Sequence, residues 1–267
     1  MNIYLQELKS LRKSALIWVC SMSLLALLFL TIYPAMAEDA EDFKELLANY
    51  PETVRAMLGI HLDYITSLVG FYSMIFSFIL LCGAIQAMNL GVSILSKEAR
   101  ERTADFLLVK PVSRNSIVTA KLSAAFTIIV ITDLLFFGFT MVLTEIVKTS
   151  DYNSKQFFMI NLTIFFIQLI FMSIGMAVSV FFNKIKSVIP ISLGFVFGFY
   201  MIGALLSTGK NDALIRFLSP FKYFDTVYII QNTSYELSYL LLGAIIVAAG
   251  IITSYIVYKN KDIHAVS

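Results

Sequence analysis

Residues 156–183 read QFFMINLTIFFIQLIFMSIGMAVSVFFN, 28 consecutive positions without a charged side chain. A helix needs about 20 mostly apolar residues to cross a hydrocarbon core about 30 Å thick. The stretch therefore holds one membrane span and is too short for two. Barrel strands fit poorly, since they alternate over only about 10 residues and this run is continuously apolar. Working outward, further uncharged runs occupy 14–37, 64–96, 187–209 and 237–258, and a sixth, 122–144, is interrupted only by Asp133. The sequence thus predicts an all-α polytopic membrane protein. It forms a single transmembrane domain over 1–267, with six transmembrane helices at about 15–37, 64–95, 117–145, 156–183, 187–208 and 237–258.

Composition points the same way. Hydrophobic residues make up 58% of the 267 positions, charged residues 14%, and the mean hydropathy is +0.81. Soluble domains run about 45–50% apolar and about 25% charged, because a folded protein in water needs a polar skin. A soluble enzyme, a secreted disulfide scaffold and a disordered tail are excluded. The formal net charge of +2 indicates no nucleic-acid partner. Cys20 and Cys82 both fall inside apolar runs, lack a CxxC partner and read as packing residues.

The run 64–96 has 33 residues and contains Gly70, Gly83 and Gly91. It predicts a helix that extends beyond the bilayer, breaks near a glycine or tilts strongly. The first run follows Lys9, Arg12 and Lys13 and ends in Pro34-Ala35-Met36-Ala37, somewhat like a signal peptide. Its 24 residues exceed the apolar core of such a signal, so it is kept as a span. With the N-terminus inside, 13 of the 20 Lys and Arg fall on inner segments, which also carry 5 acids, while the outer segments carry 12. Basic residues favour the cytoplasmic side, so both termini are expected in the cytoplasm of a multi-pass cell-membrane protein.

Between the spans, Tyr4, Leu8 and Leu11 share a stripe in 2–13, the pattern of an N-terminal interfacial helix or of a charged flank that only fixes orientation. Phe43, Leu46, Leu47 and Tyr50 recur at i, i+3, i+4 and i+7, an amphipathic helix that Pro51 ends. Leu218 to Asp225, LSPFKYFD, suits a short element at the headgroup boundary.

Reaction chemistry is missing. Gly203 to Asn211 resembles a phosphate-binding loop only superficially: five residues separate its glycines and Asn211 stands where Ser or Thr is needed. No HExxH, GxSxG or CxxC string occurs. No catalytic, cofactor or metal residue is therefore assigned. Asp133 lies 12 residues beyond Lys121, about 18 Å along a helix and near mid-bilayer. An acid there costs at least about 2.5–3.5 kcal/mol on insertion scales. It either lines a pathway for a cation or proton or joins helices through hydrogen bonds.

Residues 96–121 form the longest inner segment, SKEARERTADFLLVKPVSRNSIVTAK. Lys97 to Lys110 reads as a charged amphipathic helix in which Glu98 and Arg102 form a favourable i, i+4 pair. Pro111 stops it, and Ser113 is placed to cap the next helix. Phe106 and Leu107, sharing a face with Thr103 and Lys110, suit a groove on a soluble partner; the alternative is a solvated loop.

The run Glu98…Arg102-Thr103…Phe106-Leu107-Leu108…Pro111-Val-Ser-Arg114…Lys121 resembles the loop between the second and third spans of ABC-2 type ABC transporter permeases. Arg102 stands where that family usually has Gly. Leu218 to Phe224 is similar to the family's outer segment before its last span. The resemblance covers essentially the whole chain. It implies a permease subunit of an exporter that forms the transmembrane pathway. A second permease chain, as homodimer or heterodimer, and two ATP-binding cassette subunits would complete it. ATP and Mg would sit on those ATPase chains, leaving this chain without enzymatic activity or a cofactor of its own. The loop would be a cytoplasmic coupling helix between spans two and three, with Lys97, Glu98, Arg102, Thr103, Phe106, Leu107, Leu108, Pro111 and Arg114 as coupling residues. The alternative is an ion- or proton-coupled secondary transporter or channel that uses Asp133.

Overall fold

Continuous apolar runs satisfy their backbone hydrogen bonds internally only as helices, and helices are what the chain forms. The computed structural model describes residues 3–100, 112–182, 185–206 and 216–260. In chain order the elements are α1 Ile3–Leu30, α2 Tyr33–Glu38, α3 Ala40–Ala48, α4 Glu52–Leu58, α5 Leu68–Arg100, α6 Arg114–Val147, α7 Ser154–Phe181 and α8 Val188–Leu206. A 3₁₀ turn Pro220–Lys222, α9 Thr226–Asn232 and α10 Leu237–Asn260 follow. Side-chain caps set several starts: Ser113 Oγ accepts from Ser116 N at 3.2 Å and Asn153 Oδ1 from Lys155 N at 3.0 Å.

Among the described residues, five helical stretches are long and apolar enough to cross a membrane: Ile3–Glu38, Leu68–Lys97, Arg114–Val147, Ser154–Phe181 and Leu237–Asn260. The expected span at 187–208 coincides with α8, whose apolar part, Val188–Ala204, is shorter than those five. Among the described residues, then, five of the six expected spans have a long apolar helix, and the sixth has a shorter one.

Two local expectations change, and for α5 the alternative of a break near a glycine drops out. The N-terminal stripe is not a separate interfacial helix, because residues 3–30 form one continuous helix. Propagating an existing helix costs less than ending one and nucleating another, and no Pro or Gly interrupts this stretch. The 33-residue α5 is unbroken at Gly70, Gly83 and Gly91, and its length of about 50 Å exceeds a hydrocarbon core. The segment 218–225 forms its short 3₁₀ element but folds into the bundle: Ser219, Pro220, Tyr223 and Phe224 are buried. Phe221 packs 5.1 Å from Phe171, and Phe224 stacks 5.3 Å from Phe166. The amphipathic outer helix is present as α3, with Leu47 buried and Leu46 outward.

α5 and α7 form the centre. Their most apolar windows are 67% and 61% buried, against 22%, 33% and 17% for α1, α6 and α10. The α5–α7 crossing needs two glycines. A Cβ on Gly91 would stand 2.2 Å from Met172 O, and one on Gly175 would stand 2.8 Å from Met88 O. The backbones touch there as small residues allow between membrane helices. Around this pair, Leu134, Val142 and Ile146 of α6 and Leu237 and Ile245 of α10 are exposed. Such an apolar outer surface is stable in lipid and would aggregate in water.

Candidate functional site

A chain of polar side chains crosses the apolar centre. Thr132 and Asp133 come from α6, Gln86 from α5 and Gln168 from α7. Gln86 Nε2 donates to Thr132 Oγ1 at 3.1 Å, and the Thr132 hydroxyl donates in turn to Ile128 O at 2.8 Å. The Gln168 amide lies between Gln86 and Asp133. With one amide orientation, Nε2 donates to Gln86 Oε1 at 3.3 Å. With the amide turned over, Nε2 donates to both Asp133 carboxylate oxygens at 3.0 Å. These orientations suit different protonation states: a carboxylate can only accept, whereas a carboxylic acid can donate to the Gln168 carbonyl. The arrangement thus joins α5, α6 and α7 through one amide that lies within hydrogen-bonding distance of both Gln86 and Asp133.

A second polar assembly ties together the stems of the 101–111 segment. Lys121 of α6 is fully buried, and its Nζ donates to Glu7 Oε1 at 3.2 Å and to Ile94 O at 2.5 Å. Lys97, in the last turn of α5, donates to Glu7 Oε2 at 3.3 Å and to Ser10 Oγ at 2.8 Å. Buried Glu7 thus bridges the helix entering the segment and the helix leaving it. Arg114, at the first position of α6, donates through Nη1 to Tyr258 O at 3.4 Å and to Lys259 O at 3.1 Å. These are carbonyls of the last turn of α10, where a cation also meets the negative end of the helix dipole.

Of the residues singled out in the sequence, Lys97, Arg114 and Asp133 are placed by the structure, and each is engaged within the chain. Arg102, Thr103, Phe106, Leu107, Leu108 and Pro111, with the Glu98 side chain, lie outside the described residues. The structure brings Lys97 and Lys121 together on Glu7, and it keeps both apart from the Asp133 chain. Sequence reasoning missed Glu7, Gln86 and Gln168. Glu7 carried a signal: it is the only acid among residues 1–37. Gln86 and Gln168 lie within uncharged apolar runs, and an amide there needs a partner from another helix.

One family model matches residues 1–263, nearly the whole chain, and it describes an ABC-2 family transporter protein. The chain belongs to the ABC-2 family. It is the multi-pass permease of an ABC-type transporter. No curated protein matches the sequence. In this ABC-2 permease, the stems held by Glu7 and Arg114 flank residues 101–111.

Proposed function

We propose that this permease is the pathway-forming subunit of an exporter. Two ATP-binding cassette subunits power it, and a second permease chain, identical or different, completes it. Both termini are cytoplasmic in the cell membrane, α8 serves as the sixth span, and 1–267 acts as one transmembrane domain. No ATP is hydrolysed on this chain, and ATP and Mg are held by the ATPase chains. The family match over residues 1–263 carries this reading. Two observations support the coupling role of residues 97–114: Glu7 fixes both stems of the loop, and Arg114 clamps the start of α6 to the end of α10. Closure of the ATPases against Phe106 and Leu107 would then move α5, α6 and α10 as a unit.

The Asp133–Gln168 contact favours a second reading, proton- or ion-coupled transport without an ATPase. Flux into vesicles holding the permease separates the two. An ATP-driven exporter moves solute only when ATPase subunits and ATP are present. A secondary transporter moves it down a proton or sodium gradient with neither.

A further inference from the structure

One face of α1 points away from the bundle. Glu7, Ala15, Met22, Ala26 and Leu30 are buried against the rest of the chain, and on the opposite side Lys9, Arg12, Lys13, Leu16 and Ile17 are exposed. These five positions follow i, i+3, i+4, i+7 and i+8, so they share one helical stripe. The uncharged run begins at residue 14, and Lys9 lies five residues before it, about 8 Å at 1.5 Å each. The polar region of a bilayer is about 5–8 Å deep on each side. The three cations therefore sit at headgroup depth, and Leu16 and Ile17 follow directly at the depth of acyl chains.

The chain itself does not answer these charges. Among the described residues, no ion pair involves Lys9, Arg12 or Lys13, and none of the three side chains makes a hydrogen bond. Glu7, the only acid in residues 1–37, lies on the buried side and already meets Lys97 and Lys121. Three like charges within little more than one turn repel one another, so an anion that reaches them gains from each. The stripe also sets charge beside hydrocarbon, about 12 Å from Lys9 to Ile17. A soluble acidic protein would meet the cations but not Leu16 and Ile17, which lie within the apolar run. A molecule that meets both carries negative charge and hydrocarbon on one frame.

We propose that this stripe of α1 binds an anionic phospholipid. Its phosphate lies among Lys9, Arg12 and Lys13, and its acyl chains run along Leu16 and Ile17 toward exposed Leu24. The Arg12 guanidinium offers two parallel donors to phosphate oxygens, whereas the lysines act as point charges. A zwitterionic lipid brings its own ammonium to the cations and is disfavoured. In the orientation proposed above, the lipid belongs to the cytoplasmic leaflet. The site goes beyond the ATPase-driven reading and stands without it, since it requires only that α1 crosses the membrane. The lipid lies on the opposite face of the helix whose Glu7 joins the two stems of the 101–111 segment.

The test uses the full chain in phosphatidylcholine nanodiscs containing a photoactivatable phosphatidylglycerol, and maps labelled peptides by mass spectrometry. Labelling is expected at 14–24, displaced by excess phosphatidylglycerol and far less by phosphatidylethanolamine or soluble glycerol phosphate. Added salt should weaken it. Lys9→Gln, Arg12→Gln and Lys13→Gln should each cut this labelling roughly fivefold, the contribution of one basic side chain near an anionic surface. Lys13→Arg should keep it, because the charge remains. Labelling of lipid-facing α10, around exposed Ile245 and Ile252, should stay constant in folded variants. Any of three results overturns the proposal. They are no labelling of 14–24 in the wild-type chain, as when a second copy covers this face, wild-type labelling in two or more of the Gln variants, and equal displacement by phosphatidylethanolamine or glycerol phosphate.

Discussion

Glu7 holds two lysines, one of them with no exposure to solvent. Removing one partner of a buried pair leaves an uncompensated charge and costs about 3–5 kcal/mol, whereas replacing both partners by apolar groups is often neutral. Glu7→Gln should therefore lower thermal stability in detergent sharply. Glu7→Leu combined with Lys121→Leu should recover much of the loss; a double variant as unstable as the single one would show that the pair does not carry the effect. Asp133→Asn keeps an amide-to-amide hydrogen bond to Gln168 but cannot exchange a proton. We expect normal folded yield and a flattened pH dependence of transport, and an unchanged pH profile would remove Asp133 from the mechanism. His61 gives a different pH effect. Burial pushes its pKa below the usual 6.5; Asp225 and Asp63 oppose this and Lys222 reinforces it. The unfolded chain thus takes up a proton at higher pH than the folded one. The contribution of His61 is intact above pH 6.5 and falls as pH drops toward the lower folded value. His61→Gln should reduce the loss of stability below pH 6.5, as read from unfolding midpoints across pH.

At the level of elements, the α5–α7 crossing is the most demanding contact. Gly91→Val places carbon against the Met172 carbonyl, where no flexible side-chain tip can yield. It should abolish folded protein in fluorescence-detected size exclusion. Gly138→Ala on α6, where a Cβ would meet nothing within 4 Å, should be silent. This contrast also marks what the sequence could disclose. The helices were legible because an apolar run in a membrane has one backbone solution. The cap at Ser113 and the helix stop before Pro51 were legible because they are local. Gly91 looked like a possible break, since only its partner on α7, 84 residues away, shows that it is a contact. Glu7 and Lys121 are 114 residues apart, and the same limit hid their pairing. The N-terminal stripe misled because amphipathicity over three turns does not reveal whether the helix continues.

For the whole molecule, the distribution of polar contacts is informative. Ion pairs bind the stems of the 101–111 segment at one end, a chain of amide and acid side chains crosses the centre, and a cavity beside α5 and α8 lies at the other end. Motion begun at the loop would reach α1, α5, α6 and α10 through Glu7 and Arg114 before it reached the centre. The central claim is that motion begins there, driven by a separate ATPase. Affinity purification of the tagged full chain from its native membranes tests it most directly, beside the Phe106→Asp, Leu107→Asp double variant. The account predicts that an ATP-binding cassette protein co-elutes with the wild-type chain and is lost from the folded variant. Equal recovery of that protein with both, or with neither, would contradict it.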